Sequence, residues 1–375
     1  MNLFPAADPI PLPAPVWLFK ALDVLTLALH FVAVELLLGG LLVAVWLNWR
    51  GAARRGEPAG RLRLDASAAL ARRLPIVMTY VINLGVPPLL FAQVLYGRAL
   101  YTSSVLIGLY WIGVVFLLMA CYWLLYRFAA AAESGRSGWR LGLLAWLLAG
   151  VIARILSTNM TLMLRPEVWG PMYARSATGL FLPSGDPTLL PRWLFMLAGG
   201  FWVAGLWMIW LASRKPFEAP LKDFFATAGG RLAAVMVAVQ AAAAFWVWRA
   251  QPDAVRAALS AHAVYHAAGI AWLAMGAAVL GFSVWAAAAK PVSAAAGYAG
   301  GALTVVTMLA MTIYRDGIRD LTLLGKGFEV WAQKWVANWS VLAAFFVVFV
   351  IGLGALAWLM SVVARARAVP EKANL

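Results

Sequence analysis

The sequence predicts an all-α integral membrane protein: a single domain over residues 1–375, built as a bundle of about nine transmembrane helices, N-out/C-in. Three observations predict it. Of the 375 residues, 64% are hydrophobic and only 12% charged, about half the charged share of a soluble domain. Apolar runs separated by short polar breaks recur along the chain, each near the roughly 20 residues needed to cross a hydrocarbon core. The twenty tryptophans suit the membrane interface, where an amphipathic ring sits at headgroup level.

Residues 1–16 lack the basic region of a cleaved leader and read as a Pro-rich cap on the outer face. Spans are expected near 17–48, 74–97, 104–126, 141–164, 193–213, 232–248, 262–287, 295–314 and 337–362, followed by a tail, 363–375. Helices are required because strand or coil exposed to lipid cannot satisfy its backbone hydrogen bonds. The orientation follows from lysine and arginine. Eighteen fall on the side of the first loop, seven of them between Arg50 and Arg73, against eleven on the other; the basic side is cytoplasmic. The same rule accounts for the net charge of +15 and turns the reading away from nucleic acid. The outer segments 165–192 and 315–336 are longer, with tryptophan, proline and mixed charge, as in loops that fold over something or dock a partner. Cys121 is the sole cysteine, which excludes an internal disulfide and a c-type haem attachment site in this chain.

Ionisable groups within spans are costly and mark function by default. The first span holds Asp23, Thr26 and His30 at i, i+3 and i+7 on one face, with Glu35 elsewhere. His30 has two readings: a neutral imidazole hydrogen-bonded to a neighbouring helix, or an axial ligand to haem iron. His262 and His266, spaced i, i+4 at the start of the seventh span, read either as an interfacial pair or as a source of one further ligand. Met160, Met163 and Met196 are soft side chains, far more often packing than ligands. Arg154, Arg192 and Arg315 lie in or beside spans, in reach of Asp23, Asp316 and Asp320 or of haem propionates; snorkelling explains Arg192 and Arg315 as well. Pro87 and Pro88 are expected to break the second span, one turn before Gln93. The chain has no Walker loop, zincin motif, nucleophile elbow or dinucleotide fingerprint.

Several stretches together resemble the large subunit, subunit I, of cytochrome bd-type terminal oxidases. LTLALHFVAVELLLGGLLVAVW is similar to that family's first helix, with His30 in the place of its haem-ligating histidine. STNMTLMLRPEVW resembles the end of its fourth helix through Asn159, Met163 and Pro166, with one residue's shift, and DPTLLPRWLFMLAGGFWVAGLW resembles its fifth. The resemblance covers most of the chain. The departures are specific. No histidine stands at 190–196, where Arg192 and Met196 are the nearest polar or soft groups. Gln93 aligns with a ligating glutamate, His262 or His266 stands for a methionine, and the quinol-oxidising loop shrinks to 248–262.

The resemblance therefore implies a haem-b-binding membrane subunit of a bd-like respiratory complex in the bacterial inner membrane, part of an oxidoreductase. Its site set is His30, His262, His266, Met196, Gln93 and Arg192, with Asp23 and Glu35 on a proton path. Its expected partners are membrane lipid, a second membrane subunit and a periplasmic cytochrome c that replaces quinol as electron donor. A haem-free scaffold and a proton-coupled transporter are the alternatives.

Overall fold

The structure, a computed structural model, describes residues 3–6, 10–183, 185–214 and 216–365, the side chains at 353, 356, 357, 359, 360 and 363–365 excepted. Most of the expected C-terminal tail, 366–375, lies outside them. Helix is the regular structure of the described chain, connected by turns and loops, with one isolated bridge between Leu12 and Trp335. The helices are α1 Val16–Ala52, α2 Pro58–Ala71, α3 Leu74–Leu106, α4 Gly108–Glu133, α5 Trp139–Met163, α6 Trp169–Arg175, α7 Leu189–Ala212, α8 Ala219–Arg249, α9 Asp253–Ala261, α10 Ala263–Ala288, α11 Ala294–Leu324 and α12 Trp339–Arg365. Eight of them, α1, α3, α4, α5, α7, α8, α10 and α11, are long and apolar enough to cross a membrane. The ninth expected span is α12, whose apolar stretch within the described residues is the shorter Trp339–Gly352.

α1, α7 and α11 are the inner helices, each with at least half of its apolar window buried. α1 is the axis of the bundle and packs on α2, α3, α5, α7 and α11. Its 37 residues rise about 56 Å, well beyond a hydrocarbon core of about 30 Å, so its ends project past that core. The closest approach is to α7 at Gly39 and Gly200, where a Cβ on Gly39 would run into the Gly200 backbone. Small residues bring backbones together because apolar helices in lipid gain by close packing. The outer faces carry large exposed apolar side chains, such as Val115, Phe116 and Met119 on α4 and Ile270 and Leu273 on α10, the surface that lipid covers.

The elements depart from the expected spans in several places: short helices α6 and α9 stand in segments expected as loops, and three further differences bear on the bundle. The arginine-rich first loop contains a helix, α2, that buries Gly60, Leu64, Ser67 and Ala71 along one side; the hydroxyl of Ser67 donates to the Ala44 carbonyl of α1 at 2.8 Å. The segment 315–336 is not all loop, because α11 runs on to Leu324 and buries Asp316, Arg319 and Asp320. Their charges are paired within the bundle, so they do not end the helix. Within α3 the residue with non-helical dihedrals is Tyr96, not Pro87 or Pro88. A bilayer helix tolerates proline where its surroundings satisfy the freed backbone groups, whereas Tyr96 is held by side chains from α1 and α11.

Candidate functional site

The end of the bundle where α1 begins holds a chain of alternating buried charges. Lys20 lies one turn inside α1, and its ammonium donates to Asp320 at 2.7 Å and also pairs with Asp316. Arg319 contacts Asp316 in turn and donates to Asp23 at 2.7 Å. Asp320, Lys20, Asp316, Arg319 and Asp23 thus form one sequence of alternating sign, every side chain at most 6% exposed. The spacing on α11 explains the convergence: Asp316, Arg319 and Asp320 are i, i+3 and i+4, one face of a helix.

Neutral donors complete the Asp320 carboxylate. Tyr96 donates to Oδ1 at 2.6 Å, and Tyr265 of α10 and Trp331 donate to Oδ2 at 3.1 and 3.2 Å. Tyr96 also accepts from Lys20 at 2.8 Å, and its ring lies under the Arg319 guanidinium at 4.1 Å. Buried charges persist only when paired and hydrogen-bonded, and this cluster meets that condition except at two atoms. Among the described residues Asp23 Oδ1 and Arg319 Nε have no hydrogen-bond partner.

Three loop segments close over this end. Leu12 pairs with the backbone of Lys334 and Val336 at 2.9 Å. Phe4 packs edge-on against Trp169 and Phe328. Lys326 donates to Glu167 at 2.6 Å. Glu167 lies outside the spans; burial raises its carboxyl pKa, but the hydrogen bond from Lys326 and its other partners outweigh this and hold it below the ordinary value.

Deeper along α1, His30 faces α3. A Cβ on Gly85 would lie 2.8 Å from the imidazole Cε1, so the ring occupies the space that the glycine leaves. Among the described residues its buried Nδ1 has no hydrogen bond of good geometry, although the ring lies within reach of the Val81 backbone of α3. Glu35 lies a turn and a half further on, 3% exposed, beside Gly199 of α7 and Gln240 of α8. Gln240 accepts from Trp202 at 2.7 Å and donates to the Phe195 carbonyl at 3.3 Å. Among the described residues Glu35 Oε2 has no hydrogen-bond partner.

The structure brings some of the expected residues together and separates others. Asp23, Asp316 and Asp320 share one cluster, but among the described residues their ion-pair partners are Lys20 and Arg319, not the expected Arg154, Arg192 and Arg315. Asp23 and Glu35 are separated by about 18 Å of helical rise and face different helices. His262 does not share a helical face with His266: it is the extended N-cap of α10, stacked on Tyr265 with ring centroids 4.2 Å apart. Both histidines are exposed. Gln93 is half-buried on α3, and Met196 on α7 packs at the edge of the main core. Arg192 donates to Thr161 at 3.0 Å, Arg154 to the Pro183 carbonyl at 2.9 Å, and Arg315 lies over the ring of Phe31 at 5.3 Å.

Sequence reasoning missed Lys20, Arg319, Tyr96, Tyr265, Trp331 and Gln240. Two signals pointed to part of the set: a lysine three residues before an aspartate in an apolar helix, and the Asp-x-x-Arg-Asp spacing closing another. No protein-family model matches the chain, and no curated protein is similar enough in sequence to count as a relative.

Proposed function

We propose that this chain is a haem-b-carrying membrane subunit of a respiratory electron-transfer complex, as its resemblance to subunit I of cytochrome bd-type oxidases implies. The observation that supports this most is His30: a buried intramembrane imidazole lodged against a glycine, with no side chain among the described residues hydrogen-bonded to it. A neutral imidazole nitrogen suits haem iron, and the space that Gly85 leaves is taken by the imidazole itself, which fixes the ring against α3. A haem bound there would supply one-electron exchange.

The residues around it have roles of their own in this reading. The Lys20–Asp320 cluster fixes the outer ends of α1, α3 and α11, and so sets where His30 stands between α1 and α3. Glu35, buried beside Gln240 with its Oε2 unpartnered among the described residues, is suited to take up and release a proton. Asp23 is suited less, because Arg319 holds one of its oxygens. His262 and His266 face away from the bundle and would serve a second group only at an interface with another membrane subunit. In this reading the protein lies N-out/C-in in the bacterial inner membrane. The segments closing over the charge cluster, with Lys326 among them and Arg98 of α3 donating to the Pro5 carbonyl, then form the docking surface for a periplasmic cytochrome c. The b-type absorbance of the purified chain tests the proposal.

A second reading, a proton-coupled transporter, draws on the alternating charge chain and on Glu35, since buried ionisable groups line proton relays. Acidification of proteoliposomes that depends on Glu35, from protein without haem, would favour it.

A further inference from the structure

A groove of about 460 Å³ runs down the outside of the bundle between α4, α5 and α7. Tyr110 and Arg154 line one end and Trp146 the other, with Leu147 and Gly150 between them and Trp193 on the α7 side. Leu147 and Val151 are about half exposed (49% and 46%), so the groove opens to the lipid side. Along α5 it extends from residue 146 to residue 154, about 12 Å of helical rise, parallel to the helix and hence along the membrane normal. Its walls are apolar except near Arg154. Gly150 forms its floor, and a Cβ built there meets nothing within 4 Å.

Arg154 sits at the boundary between this groove and a small polar cleft lined by Thr158, Thr161, Arg165 and Asp186. Its guanidinium donates to Thr158 and to the Pro183 carbonyl, both neutral. Arg192 reaches Thr161 from the other side. Among the described residues neither Arg154 nor Arg192 has a carboxylate within ion-pair distance, whereas Arg165 has Glu167 at 3.5 Å and Asp186 at 3.9 Å. One end of the groove is therefore basic, hydrogen-bonding and undercompensated, and the rest is a lipid-facing apolar trough.

We infer that this groove is a binding site for an anionic phospholipid, its phosphate on Arg154 and one acyl chain lying over Gly150. An uncompensated guanidinium calls for an anion, and its planar donors suit phosphate. The apolar trough continues from that point toward the middle of the bilayer, the direction an acyl chain takes. The inference does not depend on haem or on the proposed function.

The test is native mass spectrometry of the full chain in detergent, supplied with equal amounts of phosphatidylglycerol and phosphatidylcholine of identical acyl composition. The wild type is expected to retain phosphatidylglycerol about tenfold better than phosphatidylcholine, the scale of one charge-assisted hydrogen-bonded contact. Arg154→Gln should abolish the preference, Arg154→Lys should keep most of it, and Gly150→Leu should lower retention of both lipids by filling the trough. Gly150→Leu enters open space, so its melting should match the wild type and certify the fold. Equal retention of the two lipids by the wild type would overturn the inference. So would a preference left intact in folded Arg154→Gln, unchanged retention in folded Gly150→Leu, or selective capture of a neutral isoprenoid quinone.

Discussion

Lys20 and Asp320 lie 300 positions apart in the chain and meet at 2.7 Å inside the bundle, tying the first helix to the eleventh. Removing one member of a buried ion pair costs about 3–5 kcal/mol, because the other is left charged and unpaired. Lys20→Met leaves three carboxylates facing one cation and should lower the melting temperature in detergent sharply. The double variant Lys20→Met/Asp320→Leu leaves Arg319 with Asp23 and Asp316 and should be less unstable than the sum of the two single ones, though below the wild type because Tyr96, Tyr265 and Trp331 lose their acceptor. If the double variant is as unstable as the sum of the two single ones, the pair is not coupled as described.

Tyr96 donates to Asp320 and accepts from Lys20 through one hydroxyl. Tyr96→Phe keeps the ring beneath Arg319 and removes both bonds. Bonds to charged groups are worth about 1.5–3 kcal/mol, so a clear fall in stability is expected, smaller than that of Lys20→Met. A melting temperature equal to the wild type would show that the hydroxyl is dispensable.

Much of the fold was legible in the sequence, because membrane helices announce themselves through length and hydropathy. The charge cluster was only half legible. Asp23 was conspicuous within an apolar run, but Lys20, Arg319 and Asp320 stand near the ends of such runs. There, a charge that snorkels to water looks the same in sequence as one that turns inward to a partner on a distant helix. The kink of α3 was misplaced for a related reason: proline is a local signal, whereas Tyr96 is held by residues from α1 and α11. The helix α2 was hidden behind seven arginines, although Gly60, Leu64, Ser67 and Ala71 recur on one side of it.

Gly39 has no room for a side chain, since a Cβ there meets the backbone of Gly200. Gly39→Val should separate α1 from α7 and sharply lower the yield of folded protein. Gly113→Val on α4, where a Cβ meets nothing within 4 Å, should be silent. Comparable yields of the two variants on size-exclusion chromatography would contradict the close approach of α1 and α7.

Glu35 carries a buried oxygen with no partner among the described residues, and an unsatisfied buried polar group costs about 1–3 kcal/mol. Glu35→Met, of similar length and apolar, should therefore melt at or above the wild-type temperature while losing any proton-coupled step. A marked destabilisation would assign Glu35 a structural role instead.

The Glu167–Lys326 tie predicts a pH dependence. The folded carboxyl titrates below its ordinary value, so its contribution is present above the unfolded pKa and is lost as pH falls through the folded one. Solvent screens this half-exposed pair, which limits it to about 0.2–1 kcal/mol. The small stability gap between the wild type and Glu167→Gln at neutral pH should close on acidification below the ordinary carboxylate range. A gap that widens in acid would reverse the assignment.

The central claim is that His30 holds haem, and the most direct test is a reduced-minus-oxidised visible spectrum of the purified chain beside that of its His30→Ala variant. The account predicts a b-type difference spectrum in the wild type that collapses in a variant whose melting shows it still folded. A flat spectrum from well-folded wild-type protein, or a signal unchanged by His30→Ala, would contradict it.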